Sequence, residues 1–375
     1  MPKKKKLTVG VIFGGRSAEH EVSIASARSV IKALNKKLYH VVPIAVTKNG
    51  RWLSSSNALQ LLADSDNQLK KAPERTIIPN PTTQGLVTIK NNAQQAVKSL
   101  DVVFPLIHGP FGEDGSLQGL LELANIPYVG AGVLGSATGL DKAVMKRLFI
   151  VAGLPVGEFI SFVQAEWTRD RKTVVKEIKQ MKYPLFVKPA NLGSSVGISK
   201  VHNDNQLFKA IKLALSFDRK VVVEKAMKGA RDIECAVLGN DFPKASIPGE
   251  IVSSNEFYDY DAKYVDGESQ AVIPAKLPKM LLKRIQDMSI RAFQALDISG
   301  MARVDFLVYG KTLWINELNT IPGFTSISMY PQLWEASRFP YPKLLDTLLE
   351  LAIERHNQKR QLKNSYRPKK LWHRS

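Results

Sequence analysis

Two carboxylates and one amide in an otherwise apolar stretch are spaced to hold a metal ion. A β-hairpin is predicted around Gly310-Lys311, and Asp305 and Glu317 lie equally far from Lys311 along the chain. Folding the hairpin brings the two carboxylates together to within one residue of register, and Asn319 points to the same face as Glu317. Buried carboxylates without cationic partners are costly, and oxygen ligands suit Mg²⁺ completed by substrate phosphates and water. The hairpin therefore predicts a magnesium site.

A salt bridge is the alternative for the same hairpin. Arg303 lies two residues before Asp305 on the same strand face, so the pair could satisfy each other without a metal. The loop that follows, from Thr320 to Met329, is rich in glycine and hydroxyl residues. Its backbone N–H groups could face an oxyanion or a carboxylate.

The loop from Gly14 to Glu21 follows a predicted strand and opens a predicted helix, where backbone N–H groups can face an anion. It lacks the G-x-G-x-x-G spacing of a dinucleotide site, which argues against a nicotinamide enzyme. Glu19 has two interpretations here. It is either a helix-start carboxylate favoured by the helix dipole or a counter-ion for a substrate ammonium.

A second loop, from His108 to Gly115, ends another predicted strand, and its glycines allow close approach to a ligand. His108 would then face the cleft, although a hydrogen-bonded structural histidine fits the sequence equally well. Glu113 and Asp114 can be plain helix-start residues.

A third loop, from Lys188 to Gly197, joins two predicted strands and is rich in glycine and serine, so it can fold over phosphates. It is not a Walker loop, because G-x-x-x-x-G-K-[ST] followed by a helix is missing. Lys142 and Lys188 are candidates for phosphate contacts. An edge strand at Glu224 to Met227 is expected to present its backbone to an adenine.

Alternating strands and helices are predicted to position the first two loops. Strands are expected at Leu7–Phe13, His40–Val46 and Val102–Ile107, and helices at Val22–Leu34, Ser116–Ala124 and Asp141–Val151. This alternation is typical of an α/β domain with a mostly parallel sheet and ligands at the carboxyl ends of the strands. Residues 48–100 are polar and weakly periodic, which predicts an irregular, exposed insertion.

The second half is predicted to have an α+β layout. Strands are expected at Pro184–Lys188, Ile198–Val201, Val221–Glu224, Ile233–Leu238, Met301–Val308 and Thr312–Leu318, and helices at Asp204–Ser216, Lys279–Leu296 and Tyr341–Arg355.

Composition indicates a folded protein, with 44% hydrophobic and 23% charged residues in a chain of 375. No stretch approaches the roughly 18 to 20 apolar residues of a membrane-spanning helix, and the basic start is not followed by a signal-peptide core, so the cytosol is expected. The single cysteine, Cys235, lies in an apolar alternating run and is assigned to the core of a protein from a reducing compartment.

The net charge of +19 raises the possibility of nucleic-acid binding. Twelve of the 53 lysines and arginines lie at the chain ends, at positions 3–6 and from Arg355 onward, which leaves 41 against 34 acidic residues elsewhere. A basic chain end is usually a solvated tail. Contact with nucleic acid or an anionic surface through the tails is the less favoured interpretation.

Five motifs, in order from about residue 7 to about residue 350, resemble those of the D-alanine-D-alanine ligase family of the ATP-grasp superfamily. They are Gly14-Gly15-x-Ser17-x-Glu19-x-Glu21-Val22-Ser23, His108-Gly109-x-x-Gly112-Glu113-Asp114-Gly115, Gly193-Ser194-Ser195-Val196-Gly197, Phe257-Tyr258-Asp259-Tyr260-x-x-Lys263-Tyr264, and Arg303-x-Asp305 with Glu317-x-Asn319-Thr320-x-Pro322-Gly323.

The resemblance implies an ATP-grasp fold with a Rossmann-like N-terminal domain and ATP between two α+β lobes. It divides the chain into an N-terminal domain over 1–130, a central lid over 131–224, a C-terminal catalytic domain over 225–356 and a basic tail over 357–375. The implied reaction activates one D-alanine as an acyl phosphate and attacks it with the amine of a second, for peptidoglycan precursors. A homodimer is also implied.

The resemblance also implies roles for individual residues. Glu19, in a hydrogen-bonded set with Ser194 and Tyr264, would pair with the first substrate's ammonium, with His108 near its carboxylate. Arg303 and the N–H of Gly323 would stabilise the oxyanion, and Ser328 and the N–H of Met329 would hold the second carboxylate. ATP would be bound by Lys142, Lys188, Ser195, Glu224, Lys225, Met227, Asp232 and Lys263. Asp305, Glu317 and Asn319 would bind two Mg²⁺ ions, with Mn²⁺ as a substitute.

The resemblance is compatible with more than one acceptor for the activated D-alanine. Family members often have Glu at the ribose contact, where this chain has Asp232. Relatives that form depsipeptides replace the tyrosine corresponding to Tyr264, commonly with histidine, so retention of Tyr264 favours an amine acceptor over D-lactate. D-Serine and D-lactate are the alternative acceptors.

Overall fold

The computed structural model describes residues 6–55, 74–90, 93–193, 195–252, 270–325 and 327–366. The strands are β1 (Leu7–Gly14), β2 (Tyr39–Val46), β3 (Trp52–Ser54), β4 (Thr76–Ile77), β5 (Gly85–Lys90), β6 (Ala93–Ser99), β7 (Val102–Pro105), β8 (Phe159–Val163), β9 (Leu185–Pro189), β10 (Ser199–Val201), β11 (Lys220–Lys225), β12 (Arg231–Gly239), β13 (Lys244–Ala245), β14 (Gly249–Val252), β15 (Gln270–Val272), β16 (Gly300–Tyr309) and β17 (Thr312–Asn319).

The helices are α1 (His20–Ala33), α2 (Ser116–Leu123), α3 (Val133–Leu140), α4 (Lys142–Val151), α5 (Gln164–Arg169), α6 (Arg171–Gln180), α7 (Asp204–Phe217), α8 (Lys279–Ala295), α9 (Met329–Ala336) and α10 (Tyr341–Arg360). The helices and strands predicted from hydrophobic periodicity are all present, with ends shifted by a few residues. Helices α3, α5, α6 and α9 were not predicted.

The N-terminal sheet is mostly parallel, as its α/β pattern predicts. Its order is β3-β2-β1-β7, with β2, β1 and β7 parallel and β3 antiparallel at one edge. Helices α1 and α10 pack over one face through residues such as Val30 and Leu348, and α2 packs over the other through Leu117 and Leu121. The first two loops therefore leave neighbouring strands at the same carboxyl edge of the sheet.

The prediction of an irregular, exposed segment over residues 48–100 is wrong for the described part. Strand β3 joins the N-terminal sheet, and β4, β5 and β6 form a small antiparallel sheet of their own. Leu53, Ile77 and Leu86 are fully or almost fully buried. Strands β3 and β4 have only two or three residues and cannot show a clear period of two, and β6 is mostly polar, so hydrophobic periodicity does not locate them.

The middle sheet has the order β10-β9-β11-β8 and is antiparallel throughout. Helices α6 and α7 supply Val174, Ile178 and Ile211 to its core. The prediction of an edge strand at Glu224 is wrong, because β11 lies between β9 and β8. Just past the end of β11, the Ala226 N–H donates to the Pro184 carbonyl.

The C-terminal sheet has the order β15-β14-β12-β16-β17, with β13 added to β12. Met145 and Phe149 of α4 pack in the same core as Ile315 of β17 and Phe293 of α8. Residues 131–154, which the sequence places with the central lid, thus pack against the C-terminal sheet. Cys235 is buried in this core as a free thiol, as predicted, and burial raises its pKa to about 11.

The last helix, α10, ties the chain end back to the N-terminal domain. Arg355 donates to the carbonyls of Gly130 and Tyr128 and to Ser299 Oγ, and its guanidinium lies 4.5 Å from the centre of the Tyr128 ring. Lys359 pairs with Glu122 at 2.6 Å. These two cations therefore have structural partners, and the interpretation of the whole basic end as a solvated tail is wrong for them.

None of the helices in the described ranges combines the length and the apolar character that crossing a membrane would require.

Candidate active site

The hairpin of β16 and β17 places its carboxylates opposite each other. Asp305 is paired with Glu317 and Arg303 with Asn319 in the strand register. A β-bulge after Asp305 leaves Asn316 as an extra residue on β17, which is why this pairing holds. The predicted convergence of the three oxygen-bearing side chains is confirmed.

The salt-bridge alternative is also realised in the hairpin. Arg303 donates from Nε and Nη2 to the two oxygens of Asp305, each at 2.7 Å, and Asn319 Nδ2 donates to Asp305 Oδ2 at 3.0 Å. Within the described residues no three His, Cys, Asp or Glu side chains are grouped to hold a metal by themselves. Two carboxylates and one amide fit Mg²⁺ that keeps waters and takes phosphate oxygens as further ligands.

Arg303 is held between two carboxylates rather than one. Glu234 of β12 lies opposite Asp305 across the strand pair, and its Oε2 is 3.0 Å from Arg303 Nε. Burial by itself lowers the pKa of Arg303, but the two carboxylates outweigh burial and raise that pKa well above its usual value. The guanidinium is therefore a fixed cation in the cleft.

A buried carboxylate lies between two lysines where the middle and C-terminal sheets face each other. Glu224 of β11 accepts a hydrogen bond from Lys188 Nζ at 2.7 Å and lies 3.2 Å from Lys146 Nζ. Burial by itself raises the pKa of Glu224, but the two ammonium groups lower it to about 2. Glu224 is therefore ionised at neutral pH and fixes the position of Lys188.

Lys142 connects the third loop to the hairpin. It is the first residue of α4, and Asp141 caps this helix by accepting from the N–H groups of Ala143 and Val144. Its Nζ donates to the Leu192 carbonyl at 2.8 Å and lies 3.5 Å from Glu317 Oε2. A phosphate entering here would meet a lysine already aligned with the proposed metal ligand.

A cavity of about 590 Å³ lies between the middle and C-terminal sheets, within the size range of small-molecule sites. Its lining includes these residues that the sequence assigns to ATP, metal or oxyanion: Lys142, Lys188, Ser195, Glu224, Lys225, Met227, Asp232, Arg303, Asp305 and Glu317. The Lys225 ammonium is directed away, to the carbonyls of Met181 and Lys182.

Glu19 lies at the other side of the third loop. It is buried at the start of α1, and its side chain makes no capping hydrogen bond to that helix. A Cβ added to Gly193 would lie 2.9 Å from Glu19 Oε2, and one added to Gly109 would lie 3.2 Å from it. The three loops therefore meet at this carboxylate, and the helix-start interpretation does not account for its position.

His108 is buried in a hydrogen-bonded chain. Its Nδ1 lies 3.0 Å from the Ile321 carbonyl and its Nε2 lies 3.3 Å from Ser26 Oγ, which in turn accepts from the Phe324 N–H at 3.3 Å. Burial lowers the pKa of His108, although the Glu19 carboxylate opposes this. The neutral ring therefore has a structural role in joining α1 to the loop after β17, whatever it also contributes to a substrate.

Glu113 joins the same two loops from the other side. Its Oε2 accepts from the Gly109 N–H at 2.6 Å and its Oε1 from the Ile321 N–H at 3.1 Å. Burial and the neighbouring Glu19 carboxylate raise the pKa of Glu113 to about 8. The side chain is thus more than a helix-start residue, because it fixes the second loop against the loop after β17.

The loop after β17 presents its backbone at the head of α9. Phe324 anchors it in the N-terminal core, with its ring edge-on to Phe104 at 5.4 Å between centroids. A Cβ on Gly323 would lie 2.7 Å from Ser328 Oγ. Met329 is the first residue of α9, where N–H groups lack helical partners and favour an anion such as a carboxylate.

Three of the predicted site residues, Ser194, Lys263 and Tyr264, lie outside the described residues. Their predicted roles in the ammonium site and at the phosphates stay predictions, as does the preference for an amine acceptor that rests on Tyr264.

Two family models match this chain. The model of the D-Ala-D-Ala ligase N-terminus matches residues 8–131 and that of the C-terminus matches residues 148–350. The chain belongs to the D-alanine-D-alanine ligase family. The predicted family and the ATP-grasp fold class are both confirmed.

Relatives named D-alanine-D-alanine ligase match along nearly their whole length. That of Chloroherpeton thalassium is 49% identical over 367 residues, covering 96% of this chain and 99% of the relative. That of Natranaerobius thermophilus is 48% identical over 359 residues, covering 95% and 97%.

Solved structures of the ligase family share the fold. The D-alanine-D-alanine ligase of Coxiella burnetii has a TM-score of 0.82 at 38% identity, covering 96% of this chain and 97% of that one. The VanG D-Ala:D-Ser ligase of Enterococcus faecalis has a TM-score of 0.82 at 35% identity, covering 93% and 100%.

Three buried ionisable side chains around this site were missed or undervalued from sequence: Lys146, Glu234 and Glu113. Glu234 lies in the apolar run Ile233-Glu234-Cys235. An acidic residue on a buried strand needs a cationic partner, and this was the available signal for Glu234. Lys146 lies one helical turn after Lys142, so the two lysines share a face of α4. That spacing was the available signal for Lys146.

Gly193→Ala should lower kcat/KM for the first D-alanine about tenfold or more while leaving the thermal midpoint unchanged. The added methyl displaces the flexible end of Glu19, which costs little stability but misplaces a charge at the substrate. Gly119→Ala in α2 is the control, because its Cβ meets no atom within 4 Å. Steady-state kinetics with an unchanged kcat/KM for Gly193→Ala would contradict the assignment of Glu19.

His108 should make the protein less stable toward acid. Its pKa in the folded state is lowered, so below about pH 6.5 the unfolded chain takes up a proton that the folded protein does not. This contribution opposes that of Glu113, whose raised pKa makes the folded protein take up a proton before the unfolded chain does and so stabilises it over the same range. The thermal midpoint of His108→Gln should therefore rise relative to that of the wild type as pH falls from about 6.5 to about 5, with His202→Gln, a substitution outside this network, as the control. A difference between His108→Gln and the wild type that does not change with pH would reject this account.

Proposed function

We propose that this protein joins two D-alanine molecules into D-alanyl-D-alanine, converting ATP to ADP and phosphate, as a cytoplasmic step in peptidoglycan precursor synthesis. One observation carries the proposal most directly. The cavity that collects Lys142, Lys188 and the hairpin carboxylates reaches Gly193, which lies against Glu19. A phosphate-binding region and a site for an ammonium are thus neighbours.

The first step is transfer of the γ-phosphoryl group of ATP to the carboxylate of the first D-alanine. Lys142 and Lys188 bind phosphate oxygens. Glu19 pairs with the ammonium of the first D-alanine and so orients the carboxylate of that substrate toward the cavity. Asp305, Glu317 and Asn319 are the residues that would hold Mg²⁺, or Mn²⁺ in its place, and two such ions would neutralise phosphate charge. The adenosine is assigned to the lining residues at and after the end of β11, namely Glu224, Lys225, Met227 and Asp232.

The second step is attack of the amine of the second D-alanine on the acyl phosphate, with loss of phosphate. Arg303 and the N–H of Gly323 donate to the oxyanion that forms at the carbonyl. Ser328 and the N–H of Met329 hold the carboxylate of the second D-alanine at the head of α9. The reacting amine is thereby aimed at the carbonyl carbon.

D-Serine is the second candidate for the acceptor. The observation in its favour is the overall likeness to the D-Ala:D-Ser ligase of Enterococcus faecalis. The relatives with higher identity over the whole chain are D-alanine-D-alanine ligases, so D-alanine is the preferred acceptor. Tyr264 disfavours D-lactate, because relatives that form depsipeptides commonly have histidine at the corresponding position.

Two proposals on organisation accompany this function. The domain boundaries at residues 130, 224 and 356 are proposed for the catalytic unit, with the first part of the central segment, residues 131–154, packed on the C-terminal sheet. A homodimer is proposed from the family resemblance, and sedimentation equilibrium of the full chain would test it.

Coupled ADP release with ATP and Mg²⁺ tests the function, with D-alanine, L-alanine, D-serine, or D-alanine plus D-lactate as substrates and mass detection of the product. The expected result is ADP release that depends on D-alanine and yields the dipeptide. A higher kcat/KM for the mixed product with D-serine would replace the acceptor. ATP turnover that no amino acid alters would overturn the proposal.

A further inference from the structure

A second lysine of α4, not assigned to any substrate above, is more deeply buried than the first. Lys146 is 2% exposed and Lys142 is 7% exposed. The two lie one turn apart on the same face of the helix. Lys142 lines the cavity, and Lys146 contacts two residues that line it, Glu224 and Asn316. Burying an ammonium is costly unless it is paired and hydrogen-bonded, so the partners of Lys146 indicate what it does.

The partners of Lys146 come from two different sheets. Its Nζ donates to the Asn316 carbonyl of β17 at 2.8 Å and lies 3.2 Å from Glu224 Oε1 of β11. It also lies 6.0 Å from the centre of the Phe159 ring of β8. One ammonium therefore connects the middle sheet to the C-terminal sheet through two residues that line the cavity, Glu224 and Asn316.

Both polar partners control groups that face the nucleotide. Glu224 also binds Lys188, at 2.7 Å, so a shift of Glu224 would move a phosphate-binding lysine. Asn316 is the bulge residue beside Glu317, and the bulge is what pairs Glu317 with Asp305. A single side chain thus links the lysine on one wall of the cavity to the carboxylates on the other.

We propose that Lys146 is a positioning residue that holds Glu224 and the Asn316 bulge at a fixed separation, and thereby aligns Lys188 with Glu317 for binding ATP and its metal. This inference deepens the proposed function and rests on it. Packing alone does not require a cation here, because an unbranched apolar side chain such as methionine has a similar length and avoids the cost of burying a charge.

Lys146→Met tests this role, because it should change KM for ATP without changing KM for the first D-alanine. Loss of the ammonium should raise KM for ATP and lower kcat, with a combined loss of about 10- to 100-fold in kcat/KM for ATP, as expected when a residue that orients active-site ligands is removed. KM for the first D-alanine should stay within about twofold, because Glu19 lies outside this network. A residue with only a structural role would not separate the two constants.

Lys220→Met is the matched control. Lys220 pairs with Asp141 at 2.5 Å, so its replacement also removes a largely buried ion pair next to α4, with side chains 17% and 13% exposed. The pair is formed by Asp141 Oδ2, so the cap that Asp141 Oδ1 makes to the N–H groups of Ala143 and Val144 at the start of α4 does not depend on Lys220. Its loss should lower the thermal midpoint while KM for ATP and kcat stay within about twofold of wild type.

Direct binding separates this proposal from the proposed function. The affinity of the wild-type protein and the variant for a non-hydrolysable ATP analogue with Mg²⁺, measured by calorimetry, does not depend on dipeptide formation. A wild-type protein that binds the analogue but makes no dipeptide would reject the function and leave the role of Lys146 open to the same test. At least fivefold weaker binding by Lys146→Met supports the role, whereas binding and kcat/KM for ATP within twofold of wild type overturn it.

Lys146→Gln is the second variant, for use if Lys146→Met does not fold. It keeps an N–H donor for the Asn316 carbonyl but removes the charge that faces Glu224. At least fivefold weaker analogue binding is again expected, and wild-type affinity in this variant overturns the proposal.

Discussion

Replacing Asp305 by Asn or Glu317 by Gln should each remove most of the ligase activity while the fold stays intact. Each variant replaces a ligand oxygen that carries negative charge by a neutral amide, and stabilisation by a bound metal ion amounts to several kcal/mol in the transition state. A loss of about 10²- to 10³-fold in kcat is therefore expected. The Mg²⁺ concentration for half-maximal ADP release should rise in both variants, and circular dichroism should stay unchanged.

The competing explanation is that Asp305 acts only as a partner of Arg303. Glu234→Gln distinguishes the two, because it removes the other carboxylate on Arg303 without touching the hairpin oxygens. Under the metal assignment, this variant keeps the wild-type Mg²⁺ half-saturation and loses less activity than Asp305→Asn. Near wild-type turnover in both hairpin variants, or an equal Mg²⁺ shift in Glu234→Gln, would refute the assignment.

The hairpin shows what the sequence can predict about a site. Counting from the turn predicts that Asp305 meets Glu317, and it does. The turn pairs Tyr309 with Thr312, so the centre of the hairpin lies between Gly310 and Lys311 and not at Lys311. The bulge at Asn316 then shifts the pairing by one residue, so that Asp305 lies opposite Glu317. Period-two alternation and turn residues locate a hairpin, but a bulge depends on groups distant in sequence. Here the Asn316 carbonyl accepts from Lys146 Nζ, and the Ile315 N–H donates to the Pro155 carbonyl.

The distant partners of buried ionisable groups were the part that could not be predicted. Lys146 and its acceptor Asn316 are 170 residues apart, and Glu113 and the Ile321 N–H are 208 apart. A local pattern predicts whether a residue lies on a strand or a helix, but the cost of a buried charge is settled only by groups that the fold brings to it. Lys188 was assigned because it stands in a recognisable loop, whereas Lys142 was a candidate for its charge alone.

Arg303→Lys should have an effect of similar size through the second chemical step. Arg303 presents a fork whose Nε and Nη2 are both fixed by Asp305, so its remaining N–H groups have a defined direction. A lysine keeps the charge but has a single, mobile ammonium that cannot reproduce this direction. Removing one oxyanion donor typically costs about 10²- to 10³-fold in kcat, and a loss in this range is expected with little change in KM for ATP.

Arg231→Lys is the matched control for this substitution. Arg231 makes the same two-pronged contact, from Nε and Nη2 to Glu250 at 2.7 and 2.6 Å, but it plays no part in the proposed oxyanion site. If both variants lose stability to a similar degree and only Arg303→Lys loses kcat, the effect belongs to the reaction rather than to a broken salt bridge.

Single-turnover measurement sharpens the test, because an oxyanion donor acts after the acyl phosphate forms. Arg303→Lys should then still release ADP in a first turnover while dipeptide formation lags, and an equal slowing of both steps would place Arg303 with the phosphates instead.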